Sequence, residues 1–378
     1  MSLTLYDGLV SLRNRINDSS DTGQWLLAAK KQALNVALRR TLFRTRSYCL
    51  SQSLTLVAST HTYDISPIFE PKSVRIGDNT LSILPPGSLA IVKENWEEIP
   101  PAAITTHFIS LGGGRLRLFP TPNTQTASML GDVLNIPTAG GTGYAVGDIL
   151  SIATSDANKA KVGVTTIGAG GAVAQQERHN YVNSEGNRVY YRGYGYTIGA
   201  GKATTADTGV GTGCTVEITR LCKLDVYGPA TPSDLGSGRI ATVASAPTAG
   251  GTGYTVNDIL YITTGGTKGT ARVTAAAGGI VSAVELVSAG VDYTTGTGKA
   301  TAGGTGTGCT VNITAISDGT YLPITELVEA GEEAWLLAAE EVLRASRPNM
   351  PGSLAAAQRC HELWEAECEK IRVGLGLP

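Results

Sequence analysis

The segment Pro137–Leu150 reads PTAGGTGYAVGDIL, and Pro247–Leu260 repeats it as PTAGGTGYTVNDIL with two differences. The downstream ends match as well, since GTGCTVEIT at 211–219 returns as GTGCTVNIT at 306–314. Identity over such lengths indicates a tandem duplication of one structural unit. In each copy, turns rich in Gly and Thr alternate with β-branched runs, which predicts two copies of one small all-β module.

The residues on either side of the copies predict a different kind of structure. Apolar residues recur at spacings of three and four in 3–48 and again in 323–378, which predicts helices at both ends. Residues 53–134 contain short β-branched runs separated by Pro, Gly and Asp, which predicts strands. Between the copies, Lys223–Pro232 reads as a strand with a proline exit and does not match the repeat.

The simplest organisation is one parent domain that is interrupted twice, because insertions are tolerated at exposed loop tips. The fold class predicted is α+β, with a helical bundle and a small antiparallel β domain forming the parent, and two inserted all-β modules. The parent is expected at 1–135, 221–238 and 317–378, module 1 at 136–220 and module 2 at 239–316.

Composition narrows the classes of protein. The 378 residues include 47 Gly and only 16% charged residues, and the net charge is −2. This balance argues against a whole-chain preference for nucleic acid or anionic membrane. No membrane span and no signal peptide are expected, because no apolar run is long enough and no basic region precedes one. The six cysteines lack disulfide or metal spacing, so free thiols in a reducing cytosol are expected.

The sequence contains few patterns that are typical of catalytic, metal or cofactor sites. It contains no HExxH or GxSxG motif, and no nucleophile–base pair is apparent, so no enzyme activity, metal or cofactor is expected. Gly201-Lys202 resembles part of a phosphate-binding loop, but Ala203 stands where Ser or Thr is required. Asp148 and Asp258 occupy equivalent repeat positions and are interpreted as turn residues that bond their own backbone.

Module 1 carries 15 residues that module 2 lacks, and they fall in a segment rich in Tyr and Arg. Tyr and Arg are enriched at interface hot spots, so the segment is a candidate partner-binding site. A plain hairpin with tyrosine cross-strand pairs and a sugar site remain open alternatives. The candidate residues are Tyr181, Arg188, Tyr190, Tyr191, Arg192 and Tyr194.

The two ends of the chain carry opposite charge. Residues 1–50 contain eight basic and three acidic side chains, and residues 318–378 contain eleven acidic and five basic ones. Three interpretations stay open: mutual pairing of the ends, contact between neighbouring subunits, and DNA binding by the arginines of 39–46. On the last helix Trp364 and Ile371 lie on an apolar seam that is a candidate docking surface, and His361 is expected to pack in the core.

Several motifs outside the repeats resemble one known family, the head-to-tail adaptor proteins of tailed bacteriophages, especially short-tailed ones. The matching stretches are ALNVALRR at 33–40, LTLVASTHTYDI at 54–65, LPPGSL at 84–89, RLRLFPTP at 115–122 and LDVYGP at 224–229. The similarity covers about half of the chain.

The resemblance implies a non-enzymatic virion protein of the neck or tail, assembled in the host cytoplasm. It implies a homo-oligomeric ring, commonly of twelve subunits, that contacts the portal protein and a tail hub, nozzle or fibre protein. DNA would pass through the lumen without sequence-specific binding, and no membrane would be involved. The alternative is a carbohydrate-binding tail fibre or receptor-recognition protein, supported by the tandem modules and the tyrosine-rich segment.

Overall fold

The computed structural model describes residues 3–18, 25–85, 102, 104–155, 157–182, 188–319, 324 and 331–375. The protein is mixed α+β, as the sequence predicts. The described residues form five α-helices: α1 (Leu5–Ile16), α2 (Leu27–Thr45), α3 (Thr124–Ala127), α4 (Gly331–Ala345) and α5 (Ser353–Gly374).

Helix α1 begins with a capping box. The Asp7 amide donates a hydrogen bond to Thr4 Oγ1 (3.1 Å), and the Thr4 amide donates to Asp7 Oδ2 (2.9 Å). These bonds satisfy amide groups that have no partner within the first turn of a helix. The helix ends where Asn17 adopts the left-handed conformation, with φ of 52°. Local sequence thus fixes both ends of α1.

The helices from the two ends of the chain share one hydrophobic core. Three tryptophans connect them, because each indole NH donates to a group on a helix from the other end of the chain. Trp335 bonds the Leu34 carbonyl at 2.8 Å, and Trp364 bonds Thr41 Oγ1 at 3.1 Å. Trp25 bonds the Leu343 carbonyl at 3.2 Å. The helices of the two chain ends therefore pack together in one core.

Two four-stranded sheets pack around a second core. With strands numbered along the chain, the first sheet consists of β1 (Cys49–Thr55), β3 (Ser73–Ile76), β4 (Asn79–Thr80) and β17 (Lys223–Pro229). The second consists of β2 (Thr62–Asp64), β5 (Ser82–Ile83), β6 (His107–Gly112) and β7 (Arg115–Phe119). Their orders are β1-β17-β3-β4 and β2-β7-β6-β5.

Strand β17 is the stretch between the two repeats, and it lies in the middle of the first sheet. It pairs antiparallel with β1, from Cys49 opposite Pro229 to Thr55 opposite Lys223, and with β3 on its other side. Leu224 is fully buried in the second core. Residues 223–229 therefore pair with strands of 49–80 and with no strand of the repeats, and their assignment to the parent stays a prediction.

Each repeat forms a seven-stranded sheet. In module 1 the strands are β8 (Leu130–Val133), β9 (Ala139–Thr142), β10 (Ile149–Ile152), β11 (Lys161–Ile167), β12 (Val173–Arg178), β15 (Gly199–Ala206) and β16 (Thr212–Leu221). In module 2 they are β18 (Arg239–Val243), β19 (Ala249–Thr252), β20 (Ile259–Ile262), β21 (Thr267–Ala277), β22 (Ile280–Val291), β23 (Gly296–Ala302) and β24 (Thr307–Ser317).

The two sheets have the same topology. Their orders are β12-β11-β10-β15-β16-β8 and β22-β21-β20-β23-β24-β18, with β9 added on β16 and β19 added on β24. In each sheet one edge strand, β12 or β22, also contacts the strands at the other end, so the sheet curls close to a barrel. Each near-barrel encloses its own apolar core. The duplication in sequence is a duplication of fold.

Each module begins and ends on strands that pair with one another. Leu130 lies opposite Leu221 at the base of module 1, and Arg239 lies opposite Ser317 at the base of module 2. The residues at which the chain enters and leaves each module therefore lie side by side. The sheet of module 1 already begins at Leu130, ahead of the start expected at residue 136.

The aspartates shared by the repeats are turn residues, as predicted. Asp148 Oδ2 accepts a hydrogen bond from the Ala145 amide (2.9 Å), and Asp258 Oδ2 accepts one from the Thr255 amide (3.0 Å). Such bonds hold a turn by replacing backbone partners. Asp258 also accepts bonds from the amide and hydroxyl of Thr305 at 2.9 and 2.7 Å, which ties two loops of module 2 together.

Candidate partner-binding surfaces

The extra segment of module 1 forms a hairpin of β13 (Asn180–Val182) and β14 (Arg188–Tyr190). It lies between β12 and β15, where module 2 runs directly from β22 to β23. Asn180 lies opposite Tyr190, and Tyr181 lies opposite Val189. The segment is thus a hairpin without tyrosine–tyrosine cross-strand pairs, and its role in binding a partner stays a prediction. The Arg188 side chain lies outside the described residues.

Aromatic rings cluster at the base of the hairpin. The Tyr191 ring stacks on His179 with 5.7 Å between centroids and contacts Tyr181 at 4.8 Å. Lys161 Nζ lies 5.0 Å from the centroid of Tyr191, and the Arg178 guanidinium lies 4.0 Å from that of Tyr190. Contacts between cations and ring faces add to the stability of such a cluster. Tyr181 keeps 43% of its surface exposed.

Arg192 holds module 1 against the parent. Its guanidinium lies 2.6 Å from Asp78 Oδ2, on the turn between β3 and β4. It also donates to the Leu130 carbonyl at 2.9 Å and to Cys222 Sγ at 3.1 Å. Because its side chain is only 12% exposed, Arg192 makes its contacts mainly with other residues of this chain. The enrichment of Arg at interfaces could not distinguish an internal contact of this kind from a contact with another protein.

Burial is the main influence on the pKa of the Cys222 thiol. It raises the pKa of Cys222, while the neighbouring Arg192 acts in the opposite direction and is outweighed. The thiol itself donates to the Leu130 carbonyl at 3.1 Å. Cys222 is therefore a structural residue at the base of module 1, where chain entry, chain exit and the parent meet.

A cleft of about 450 Å³ opens between the hairpin, residues 157–161 and the β3–β4 turn. Five of the predicted site residues line it: Tyr181, Tyr190, Tyr191, Arg192 and Tyr194. Tyr194 also packs partly against the core of the parent sheets. The fold thus brings five of the eight predicted residues to one concave surface between two structural units.

Trp364 and Ile371 lie elsewhere, in the core of the helices. They are 5% and 4% exposed, and the Arg40 guanidinium covers the Trp364 ring at 4.6 Å. Their contact with a partner stays a prediction, and in this chain they pack against its own helices. Leu354, Leu363 and Val373, on the same helix, are 64%, 47% and 69% exposed and contribute accessible apolar surface.

His361 does not pack in the core as expected. Its side chain is 45% exposed, and its Nδ1 lies 3.3 Å from Glu341 Oε2 on α4. The neighbouring Cys360 is buried in its place. The buried face of α5 therefore contains Cys360 and not His361. Spacings of three and four fit both residues, so they do not define which one faces the core.

The opposite charges of the two ends pair with each other inside the chain. Arg15 bonds Glu333 at 2.7 Å, Arg40 lies 3.3 Å from Glu341, and Arg44 lies 2.9 Å from Glu365. The remaining arginines of 39–46 pair with acidic residues outside the C-terminal segment, Arg39 with Asp234 and Arg46 with Glu70. The structure therefore favours mutual pairing over the other two interpretations.

The described residues contain no cluster of His, Cys, Asp and Glu with the arrangement of a metal site. Among the helices that the structure describes, none combines the length and apolarity needed to cross a membrane.

Comparison with known families points to a virion protein. Residues 4–155 match the family model described as SU10 adaptor protein. The match supports a structural head–tail adaptor of a bacteriophage. It spans α1, α2, both sheets of the parent apart from β17, and the first strands of module 1. No curated protein matches the chain.

Proposed function

We propose that the protein is an adaptor that forms a ring, of twelve copies, between the portal and the tail of a phage particle. The observation that carries the proposal is the adaptor match over residues 4–155. The ring would leave a lumen through which DNA passes without sequence-specific contacts. The site of action would be the neck of the virion, after assembly in the host cytoplasm.

The parent would supply the ring, with its helical bundle as the adaptor core. The sequence places the parent at 1–135, 221–238 and 317–378. In this proposal its first segment ends before Leu130, where the sheet of module 1 begins. The paired chain entry and exit of each module support the insertion. Modules inserted in this way project from a surface without interrupting the core that makes the ring.

Contacts in a ring run head to tail, so each subunit presents two different surfaces. The internal pairing of Arg15, Arg40 and Arg44 removes the main charges of 1–50 from such a contact. Apolar side chains on the outer faces of the helices are available instead, and Leu363 and Val373 are examples. We propose that these side chains of α5 contact the portal or a neighbouring subunit, and that modules 1 and 2 anchor tail or fibre proteins.

Mass photometry of the purified full chain, alone and with the portal protein of the same phage, tests the ring. We expect a discrete species of twelve chains that joins the portal. A variant with Leu363→Ser and Val373→Ser should lower the ring population, whereas Gln358→Ser, an exposed change on the same helix, should not. A chain that stays monomeric with the portal present contradicts the proposal.

A further inference from the structure

The hairpin β13–β14 is not required by the fold that carries it. Module 2 has the same seven strands in the same order and closes its own core without a hairpin at that place. The hairpin therefore adds something that a stable module does not need. Part of the addition is the Arg192 contact with Asp78, which joins module 1 to the parent. The rest is the cleft of about 450 Å³ beneath the hairpin.

The cleft combines aromatic and polar walls. Tyr181, Tyr190 and Tyr191 line it together with Asn79 and Asn158. Amide side chains present both donors and acceptors, and tyrosine combines a flat apolar ring with a hydroxyl. Pockets of roughly 300–1,000 Å³ between structural units, with aromatic walls and a few polar groups, are typical ligand sites.

The charges around the cleft are largely neutralised by neighbours. Arg192 pairs with Asp78 at 2.6 Å, and Lys161 pairs with Asp207 at 2.8 Å. Burial raises the pKa of Asp207, but bonds from Lys161 and Ser151 outweigh burial and hold it below its ordinary value. Lys159 also acts on Asp207 in the same direction. The cleft therefore lacks the series of free cations that a polyanion such as nucleic acid requires.

We propose that this cleft binds a neutral carbohydrate of one or two sugar units. The Tyr181 ring, with 43% of the residue exposed, would take the apolar face of a sugar ring. The amides of Asn79 and Asn158 and the edges of the Arg192–Asp78 pair would bond its hydroxyl groups. The site is independent of the ring, so a failure to bind sugar leaves the adaptor proposal untouched, and the reverse also holds.

A glycan array of neutral, sulfated and sialylated oligosaccharides, probed with the full chain, tests the proposal, and calorimetry then measures affinity for the best neutral glycan. Tyr181→Ala should weaken this affinity about tenfold, which corresponds to about 1.4 kcal/mol of binding free energy, because it removes the ring on which the sugar would stack. Asn158→Ala, which removes hydrogen bonds and leaves the rings intact, should also weaken it.

Tyr261→Ala is the matched control, since Tyr261 is an exposed tyrosine (56%, against 43% for Tyr181) on module 2, which has no hairpin. It should leave the affinity unchanged. Far-ultraviolet circular dichroism and ring formation check that every variant is folded. Absence of any neutral ligand on the array overturns the proposal. Binding confined to charged glycans, or neutral binding that survives both cleft substitutions, overturns it as well.

Discussion

Single residues decide how closely the helices of the two chain ends approach. Gly8 on α1 faces Trp335 on α4, and a β-carbon at Gly8 would overlap the indole ring. Trp335 is fully buried and is held by its bond to the Leu34 carbonyl. The ring therefore has no free space into which it could move. The absence of a side chain at residue 8 is a packing requirement of the shared core.

Gly8→Ala is expected to destabilise the protein by about 1–3 kcal/mol, the range for overpacking a tight core. The sign of this change in stability is informative, because replacing Gly by Ala within a helix otherwise stabilises the helix by roughly 1 kcal/mol. Guanidinium unfolding followed by tryptophan fluorescence measures the effect, since Trp25, Trp335 and Trp364 all lie in this core. Asn14→Ala, at an exposed position of α1, is the control and should be neutral or stabilising.

Asp258 shows the same dependence on a single side chain within module 2. Burial raises the pKa of Asp258, but hydrogen bonds from Thr255 and Thr305 outweigh burial, so the net pKa lies below its ordinary value. A carboxyl group with a lowered pKa in the folded state stabilises the fold at higher pH. That contribution is present above the unfolded pKa of about 4 and is lost as pH falls through the folded value.

Asp258→Asn should therefore lower the melting temperature of module 2 at pH 7, and the difference from wild type should shrink towards pH 3. Differential scanning calorimetry across this range measures both effects. Asp292→Asn changes an exposed aspartate of the same module and serves as the control. A difference between wild type and Asp258→Asn that is constant from pH 7 to pH 3 would contradict this account.

At the scale of elements, the two modules share a fold and attach to the parent by different residues. In module 2, Arg272 donates to Gln52 Oε1 at 3.0 Å and to the Ser66 carbonyl at 3.3 Å. Asn257 donates to the Thr55 carbonyl at 2.9 Å. All three acceptors belong to the parent. Burial lowers the pKa of Arg272 and outweighs the opposing effect of Glu285.

Module 1 lacks both anchors. Gly147 occupies the position of Asn257 in the repeat. Gly163 lies opposite Ile149 as Arg272 lies opposite Ile259. The turn at 144–148, at the tip of module 1, is consequently more exposed than its counterpart. Val146 is 61% exposed, whereas the equivalent Val256 of module 2 is half-buried. Arg192 on the added segment supplies the alternative attachment.

Arg272→Met should loosen module 2 from the parent while both cores stay folded. Hydrogen exchange measured by mass spectrometry should become faster in the turn at 254–258, which bonds the parent through Asn257. Removing one partner of a buried charged bond typically costs several kcal/mol, so a change of at least tenfold in local exchange is expected. Lys299→Met alters a half-buried cation of the same module, which bonds Thr294 of that module, and should leave that exchange unchanged. Unchanged exchange in Arg272→Met would show that other contacts hold the module.

For the whole molecule, the arrangement of chain entry and exit predicts that module 2 can be removed. Gly319 lies against the Gly236 carbonyl, so the two ends of the insert are neighbours. Replacing 239–317 by two glycines should leave the remaining protein folded, because closing a short loop between adjacent ends costs little. The cooperative fluorescence transition of the helical core should persist. Loss of that transition would mean that module 2 is an integral part of the parent.

Much of this architecture could be predicted because it rests on local patterns. The repeat identified two equal modules, helical spacing located α1, α2, α4 and α5, and the mismatch of Lys223–Pro229 with the repeat assigned that strand to the parent. The sequence predicts that module 1 starts at residue 136, after β8. The residues of β8 fit a strand of either unit, so the sequence did not assign them to module 1. For the candidate site, the tyrosines were found from composition, whereas Asn79 and Asn158 carry no local signal.

The amino-acid sequence by itself determined the elements and the duplication, since helix periodicity, turn residues and repeat identity are properties of neighbouring residues. Only the tertiary structure decided the contacts between distant residues. It pairs Arg15 with Glu333, places Arg192 on Asp78, and exposes one module tip while covering the other. These outcomes depend on which surfaces meet after the chain has folded back on itself, and the spacing of residues along the chain does not specify them.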